Sequence, residues 1–347
     1  MASRRGGRGR AIDVRQLPGA WISQRETIAF MKVGRRHYFL IAQILVSALL
    51  LAWLIRFARP SDLIAAARDV SPLALIVTGA LLAFNNALAA IRQCVILRAL
   101  GIGISLPRML ALNWMGLFAN NFLPSSVGGD AAIAAVLHRR HRRLGTIVSG
   151  LLINRIFGLI GLMIVLLVLL ILVDLGSLQI LVNRVIGWSV ALLLLAVLGG
   201  LGLIFVLRSG NRLSRLLMAM LEKLQTMGVT ALDLHWKALA ILCLSIAIMV
   251  LGGVVTALLG CWIYPEAGFW TTATIILMLQ LVQLIPISFN GIGVAESVAA
   301  YCLTSIGWPL HQAVLLGLLL RGLTIALSMP GAFAFILFSK QQQPEST

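Results

Sequence analysis

The sequence predicts an all-α polytopic membrane protein with about six transmembrane helices and two re-entrant helical hairpins in an inverted-topology repeat. Three observations lead there. The chain is 60% hydrophobic and only 11% charged over 347 residues, against ~45–50% and ~25% in soluble domains. Its apolar residues gather in stretches close to the ~20 helical residues that a ~30 Å hydrocarbon core demands. Two further apolar regions are interrupted in the middle by proline and glycine in similar patterns.

Taken in order, residues 1–37 form a basic arm, with nine Lys or Arg against two acids in 1–36. Such a composition suits a cytoplasmic segment lying on an anionic lipid surface. The first apolar run begins near Tyr38 and ends at Arg56 without a small-residue cleavage site, so it is expected to act as a signal anchor. Six stretches qualify as spans or come close: about 38–55, 72–92, 145–172, 185–207, 238–262 and 312–338. The membrane domain is therefore 38–338, with 339–347 a short cytoplasmic tail.

The broken regions are 109–137, interrupted at Leu123-Pro124-Ser125-Ser126-Val127-Gly128-Gly129, and 271–306, interrupted at Pro286-Ile287-Ser288-Phe289-Asn290-Gly291-Ile292-Gly293. Charge decides their threading. Arg92, Arg98 and Arg108 precede the first region, and Arg139, Arg140, Arg142 and Arg143 follow it. Positive charge beside short loops favours the cytoplasm, so 109–137 should enter from that side and return to it. Its first limb, 109–122, is only about 21 Å long at 1.5 Å per residue. The second region then enters from outside and returns there. Of the 28 Lys and Arg residues, this threading puts Arg56, Arg59, Arg68 and Arg184 outside, Arg155 and Arg321 within spans, and the rest in the cytoplasm. Both termini are cytoplasmic, as expected for a multi-pass protein of an inner or plasma membrane. The net charge of +17 follows from these orientation signals and does not indicate nucleic acid.

The two broken regions share an order of residues. Each has a proline, then glycines, then one acid, Asp130 or Glu296, and then a long helix carrying one arginine, Arg155 or Arg321. The acid-to-arginine spacing is 25 residues in both. Units of about 72–172 and 238–338 would meet their hairpins from opposite sides, the layout of inverted-topology transporters whose sites lie near the midplane. Two unrelated kinked helices would give the same local pattern.

An ionisable side chain inside a span costs roughly 2.5–3.5 kcal/mol on insertion scales, so it persists when paired or facing water. Asp130, Arg155, Glu296 and Arg321 are the candidates. The arginines can bind an anionic group such as a lipid phosphate through bidentate hydrogen bonds, with the acids holding them or carrying protons. Two ion pairs that only fasten helices are the competing reading. Gly128, Gly129, Gly291 and Gly293 let the chain reverse and can bring backbone amides to a phosphate. Pro124 and Pro286 end their preceding helices. Asn121 and Asn290 are candidate lining residues. Asn85, Asn86, Asn113, Asn120, Gln280 and Gln283 either line the same cavity or bridge helices.

The four cysteines, Cys94, Cys243, Cys261 and Cys302, form no CxxC pair and read as small apolar side chains. His138 and His141 flank arginines, and no metal or cofactor site is expected. There is no GxSxG, HExxH or P-loop, so no enzyme constellation is visible.

The run Asn120 to Asp130, the run Pro286 to Glu296 with its GxGxxE ending, and the following Arg155 and Arg321 together resemble the membrane region of lysylphosphatidylglycerol synthases, the flippase-like family that includes YbhN-type proteins. The resemblance covers roughly 38–338. It implies lipid translocation. In two-domain members the synthase activity belongs to a separate soluble domain, so this chain, which ends at Thr347, is not expected to make lysyl-lipid. Single-domain relatives are linked to hopanoid, glycolipid or polyprenyl-linked lipid pathways. Three charges of the family pattern are missing: the positions after Asp130 are Ala131-Ala132-Ile133-Ala134, Ala295 precedes the second acid, and Asn154 precedes Arg155.

The leading expectation is a lipid flippase or lipid-headgroup translocator for an anionic or modified lipid. A small-solute or ion transporter, a membrane-embedded lipid transferase and a non-catalytic partner of a lipid-synthesis enzyme are the alternatives.

Overall fold

The computed structural model describes residues 45–122, 128–174, 231–282 and 292–340. Among these the regular structure is helical, without strands. Helix α1 is Leu45–Phe57 and α2 is Pro60–Asp69. Helix α3, Pro72–Ala99, starts with Pro72 at its first turn and with Ser71 Oγ accepting from the Leu73 amide, a favourable N-cap. It stops where Gly101 turns to φ 75° and the Ile102 amide returns to the Leu97 carbonyl. The chain continues through α4, Leu106–Phe122, α5, Gly128–His141, and α6, Leu144–Leu172. After the undescribed segment come α7, Ala231–Ile263, α8, Phe269–Val282, α9, Val294–Ser305, α10, Leu310–Ser328, and α11, Pro330–Lys340. Met329 keeps helical dihedrals, so α10 and α11 together form one apolar stretch, Leu310–Phe338.

Four described helical stretches are long and apolar enough to cross a membrane: Pro72–Ala99, Leu144–Leu172, Trp236–Ile263 and Leu310–Phe338. They match four of the expected spans. The expected 38–55 span is described only from residue 45, as the short helix α1, and 185–207 lies outside the described residues. Large apolar side chains stand exposed along the helices. On α6, Leu144, Val148, Leu152, Ile156 and Leu159 are exposed, and their three- and four-residue spacing makes one face. A soluble protein does not leave such faces uncovered; they face lipid.

Helix α3 packs on α7, α4 and α6, and α7 packs also on α6 and α8. The paired helices α4 and α5 lie against each other, as do α8 and α9. Two separate apolar clusters hold the bundle. One gathers Cys94 and Leu97 of α3, Met109, Leu112 and Met115 of α4, Ile133 and Leu137 of α5, and Ile147 and Leu151 of α6. The other gathers Ala74 of α3, Leu162 to Leu170 of α6, Leu259 of α7, Ile275 of α8, Leu303 of α9 and Val314 to Leu316 of α10. Helices α3 and α6 thus contribute one end to each cluster. Between Leu151 and Leu162, α6 buries no large apolar side chain.

The terminal helices brace the two helix pairs crosswise. A Cβ on Gly331, at the start of α11, would run into the Trp114 carbonyl of α4, so glycine is what lets α11 lie on α4. Gly293, immediately before α9, has φ 84°, and its Cα faces Leu50 and the Ser47 carbonyl of α1. Positive φ and close approach both exclude a side chain there.

Candidate functional site

Each predicted acid meets its predicted arginine. Arg155 Nε donates to Asp130 Oδ2 at 2.6 Å, and Arg321 Nε donates to Glu296 Oε1 at 2.9 Å. The local positions correspond. Asp130 is the third residue of α5 and Glu296 the third of α9; Arg155 is the twelfth of α6 and Arg321 the twelfth of α10. In a first helical turn a carboxylate faces unsatisfied amides and the positive end of the helix dipole. The second pair uses this fully: Glu296 Oε2 accepts from the Gly293 amide at 2.7 Å. At the first break the amide just before Asp130, Gly129 N–H, donates to Asn120 Oδ1 of the preceding helix at 2.7 Å.

The pairs differ in setting. Arg321 and Glu296 are 20% and 4% exposed, whereas Arg155 and Asp130 are 43% and 22% exposed. Glu296 and Arg321 line a cleft of about 280 Å³ together with Leu82 of α3, Thr256 of α7, Gln280 of α8, and Gly317 and Thr324 of α10. The Thr256 and Thr324 hydroxyls donate to carbonyls of their own helices, which leaves their oxygens as acceptors toward the cleft. Gly317 brings α10 against the Glu296 side chain. Both arginines commit their Nε to a carboxylate. Asn121 sits on the last turn of α4. Pro124, Pro286, Asn290 and Gly291 lie outside the described residues; Gly128, Gly129 and Gly293 flank the breaks.

The polar amides expected to line the cavity or bridge helices include both kinds. Asn113 Nδ2 donates to Asn86 Oδ1 at 2.8 Å and to the Asn86 carbonyl at 3.1 Å, tying α4 to α3. Gln280 faces the cleft.

Arg92, read in the sequence as one of the cytoplasmic arginines following the 72–92 span, lies within a helix that nothing breaks there. Helix α3 runs to Ala99, and Arg92 is buried, 6% exposed. Its Nε donates to Asn154 Oδ1 at 2.9 Å and its Nη1 to Ser245 Oγ at 2.9 Å. Asn154 Nδ2 in turn donates to Gln93 Oε1 at 3.2 Å, and Ser245 Oγ to the Ile241 carbonyl. The signal available in sequence was spacing: Thr78, Asn85 and Arg92 recur every seven residues, which places them on one helical face. That face meets α7, where Gly252 lies beside Asn85 and Ser245 beside Arg92.

Fold and site together define a polytopic α-helical membrane protein that carries ionisable groups within its bundle. Residues 40–331 match the family described as the lysylphosphatidylglycerol synthase TM region, and the chain belongs to that family. No curated protein matches it.

Proposed function

We propose that this protein translocates a polar lipid headgroup across an inner or plasma membrane, with both termini cytoplasmic. The observation that carries this reading is the Glu296–Arg321 pair held in a cleft of about 280 Å³ within a membrane-embedded bundle. A buried ion pair used only as a fastener gains nothing from an adjoining cavity, and apolar packing serves that purpose at least as well. Membership in a family named for a lipid synthase region supports a lipid as cargo.

In this reading α4–α5 and α8–α9 are the two re-entrant hairpins of an inverted repeat. The matching positions of the acids and arginines support it, as does the contribution of opposite ends of α3 and α6 to the two apolar clusters. The headgroup passes through the polar interior while the acyl chains stay in lipid. The basic arm rests on anionic lipid at the cytoplasmic face.

The test is lipid exchange in liposomes containing the purified protein and head-labelled phospholipids, followed by accessibility to an external quencher. Exchange lost on Arg155→Ala with Arg321→Ala is the expected outcome. Exchange at the native rate in that double variant removes the arginines from the path. Flux of a soluble solute without lipid exchange overturns the lipid reading in favour of a solute transporter.

A further inference from the structure

The described interior contains three arginines and two acids at the junctions just described, and pairing is uneven. Arg155 has Asp130 and Arg321 has Glu296. Arg92 has neutral partners only, Asn154 and Ser245. Among the described residues no carboxylate lies within ion-pair distance of it. A guanidinium removed from water and given no counter-charge is costly, and neutral hydrogen bonds recover only part of that cost.

What surrounds Arg92 favours an acceptor from outside the chain. Its Nη2 takes part in neither bond. Gln93, 3% exposed, has a buried Nε2 with no hydrogen-bond partner, so a second donor at this junction is unanswered. On α6 the residue over the guanidinium is Gly158. A Cβ there would lie 3.5 Å from both Nη1 and Nη2, so the fork is covered on that side by backbone alone. Gly158 is only half-buried, and it stands one turn beyond Arg155, which is 43% exposed beside the lipid-facing stripe of α6. Arg92 and Arg155 against Asp130 leave this region one positive charge in excess, whereas the Glu296–Arg321 cleft is balanced.

We propose that the α3–α6–α7 junction at Arg92, Gln93 and Gly158 is an anion subsite that takes a phosphate group, the ligand supplying the counter-charge. The phosphate approaches over Gly158, meets the Nη edge of Arg92 and accepts from the Gln93 amide. The chemistry is common to free phosphate and to a phospholipid headgroup. The subsite does not depend on transport and can be tested without it.

Asn154→Asp is the decisive variant, since it places a carboxylate where Asn154 Oδ1 now accepts from Arg92. Rotation of the Gln93 amide would then let its Nε2 donate to the new carboxylate. The full-length protein, purified in detergent, is titrated with inorganic phosphate and, separately, with dihexanoyl phosphatidic acid below its micellar concentration. Thermal unfolding is followed at fixed ionic strength. The native protein should show a saturable rise in Tm. Asn154→Asp should unfold at a higher temperature without ligand and show no rise. Gly158→Val, which keeps every charge, should weaken the response about tenfold or more, the scale of one charge-assisted hydrogen bond. A rise with the lipid alone assigns the phosphate to a headgroup; a rise with both assigns the shared group. No rise with either ligand in the native protein, or an undiminished rise in Asn154→Asp, overturns the subsite.

Discussion

The two acid–arginine pairs have the same spacing, the same positions in their helices and the same Nε contact, yet they occupy different surroundings. Glu296–Arg321 is enclosed, and its acid also caps the helix that carries it. Asp130–Arg155 stands near the lipid-facing side of α6, and the neighbouring amide is capped by Asn120. Equal chemistry in unequal surroundings carries unequal energy, because a Coulomb interaction depends on the dielectric around it. The comparison teaches that internal repetition of sequence preserves an interaction without preserving its weight.

The largest expected effect tests the enclosed pair. Glu296→Ala leaves Arg321 without its carboxylate and the Gly293 amide without its acceptor, a loss of about 3–5 kcal/mol by the scale of broken buried pairs. Unfolding in detergent should show it. Asp130→Ala unpairs a less buried arginine and should cost less; equal losses for the two variants would dissolve the comparison. Gly293→Ala should destabilise by about 1–2 kcal/mol from backbone conformation alone, and more from contact with Leu50 and Ser47. Replacing Gly129, whose φ is not positive, isolates the contact part, since a Cβ there meets the Gly116 carbonyl. Asn113→Ala should cost about 0.6 kcal/mol, the typical worth of a hydrogen bond between membrane helices.

The smallest effect lies outside the spans. The Tyr264 hydroxyl donates to Glu266 at 2.9 Å, which raises the phenol above its ordinary range. A raised folded-state value means the interaction contributes fully below the unfolded phenol value, about 10, and is lost as pH rises through the folded value. Absorbance titration of the native protein against Glu266→Gln should show Tyr264 ionising at lower pH in the variant.

Much of this arrangement was legible in the sequence because membrane helices obey simple length and polarity rules. The spans at 72–92, 145–172, 238–262 and 312–338 follow from apolar run length alone. The four intramembrane charges were visible because each interrupts such a run. The burial of Arg92 was not legible because it sits where a ~20-residue span is complete, and hydropathy cannot say that a helix continues past the membrane's demand. The cleft was not legible either, since Leu82, Thr256, Gln280 and Gly317 come from four helices whose packing no local pattern specifies.

By itself the sequence determined the solvent of this protein, the location of its breaks and the identity of the charges that must be reconciled inside it. Each is a property of a single segment and its transfer free energy. Only the tertiary structure decided which pair is enclosed, which arginine has no carboxylate beside it among the described residues, and that α1 and α11 each brace the opposite half. Those outcomes depend on close approach between helices far apart in the chain. At Gly293 and Gly331 that approach rests on side chains that are absent, and composition does not reveal which glycine faces a neighbour.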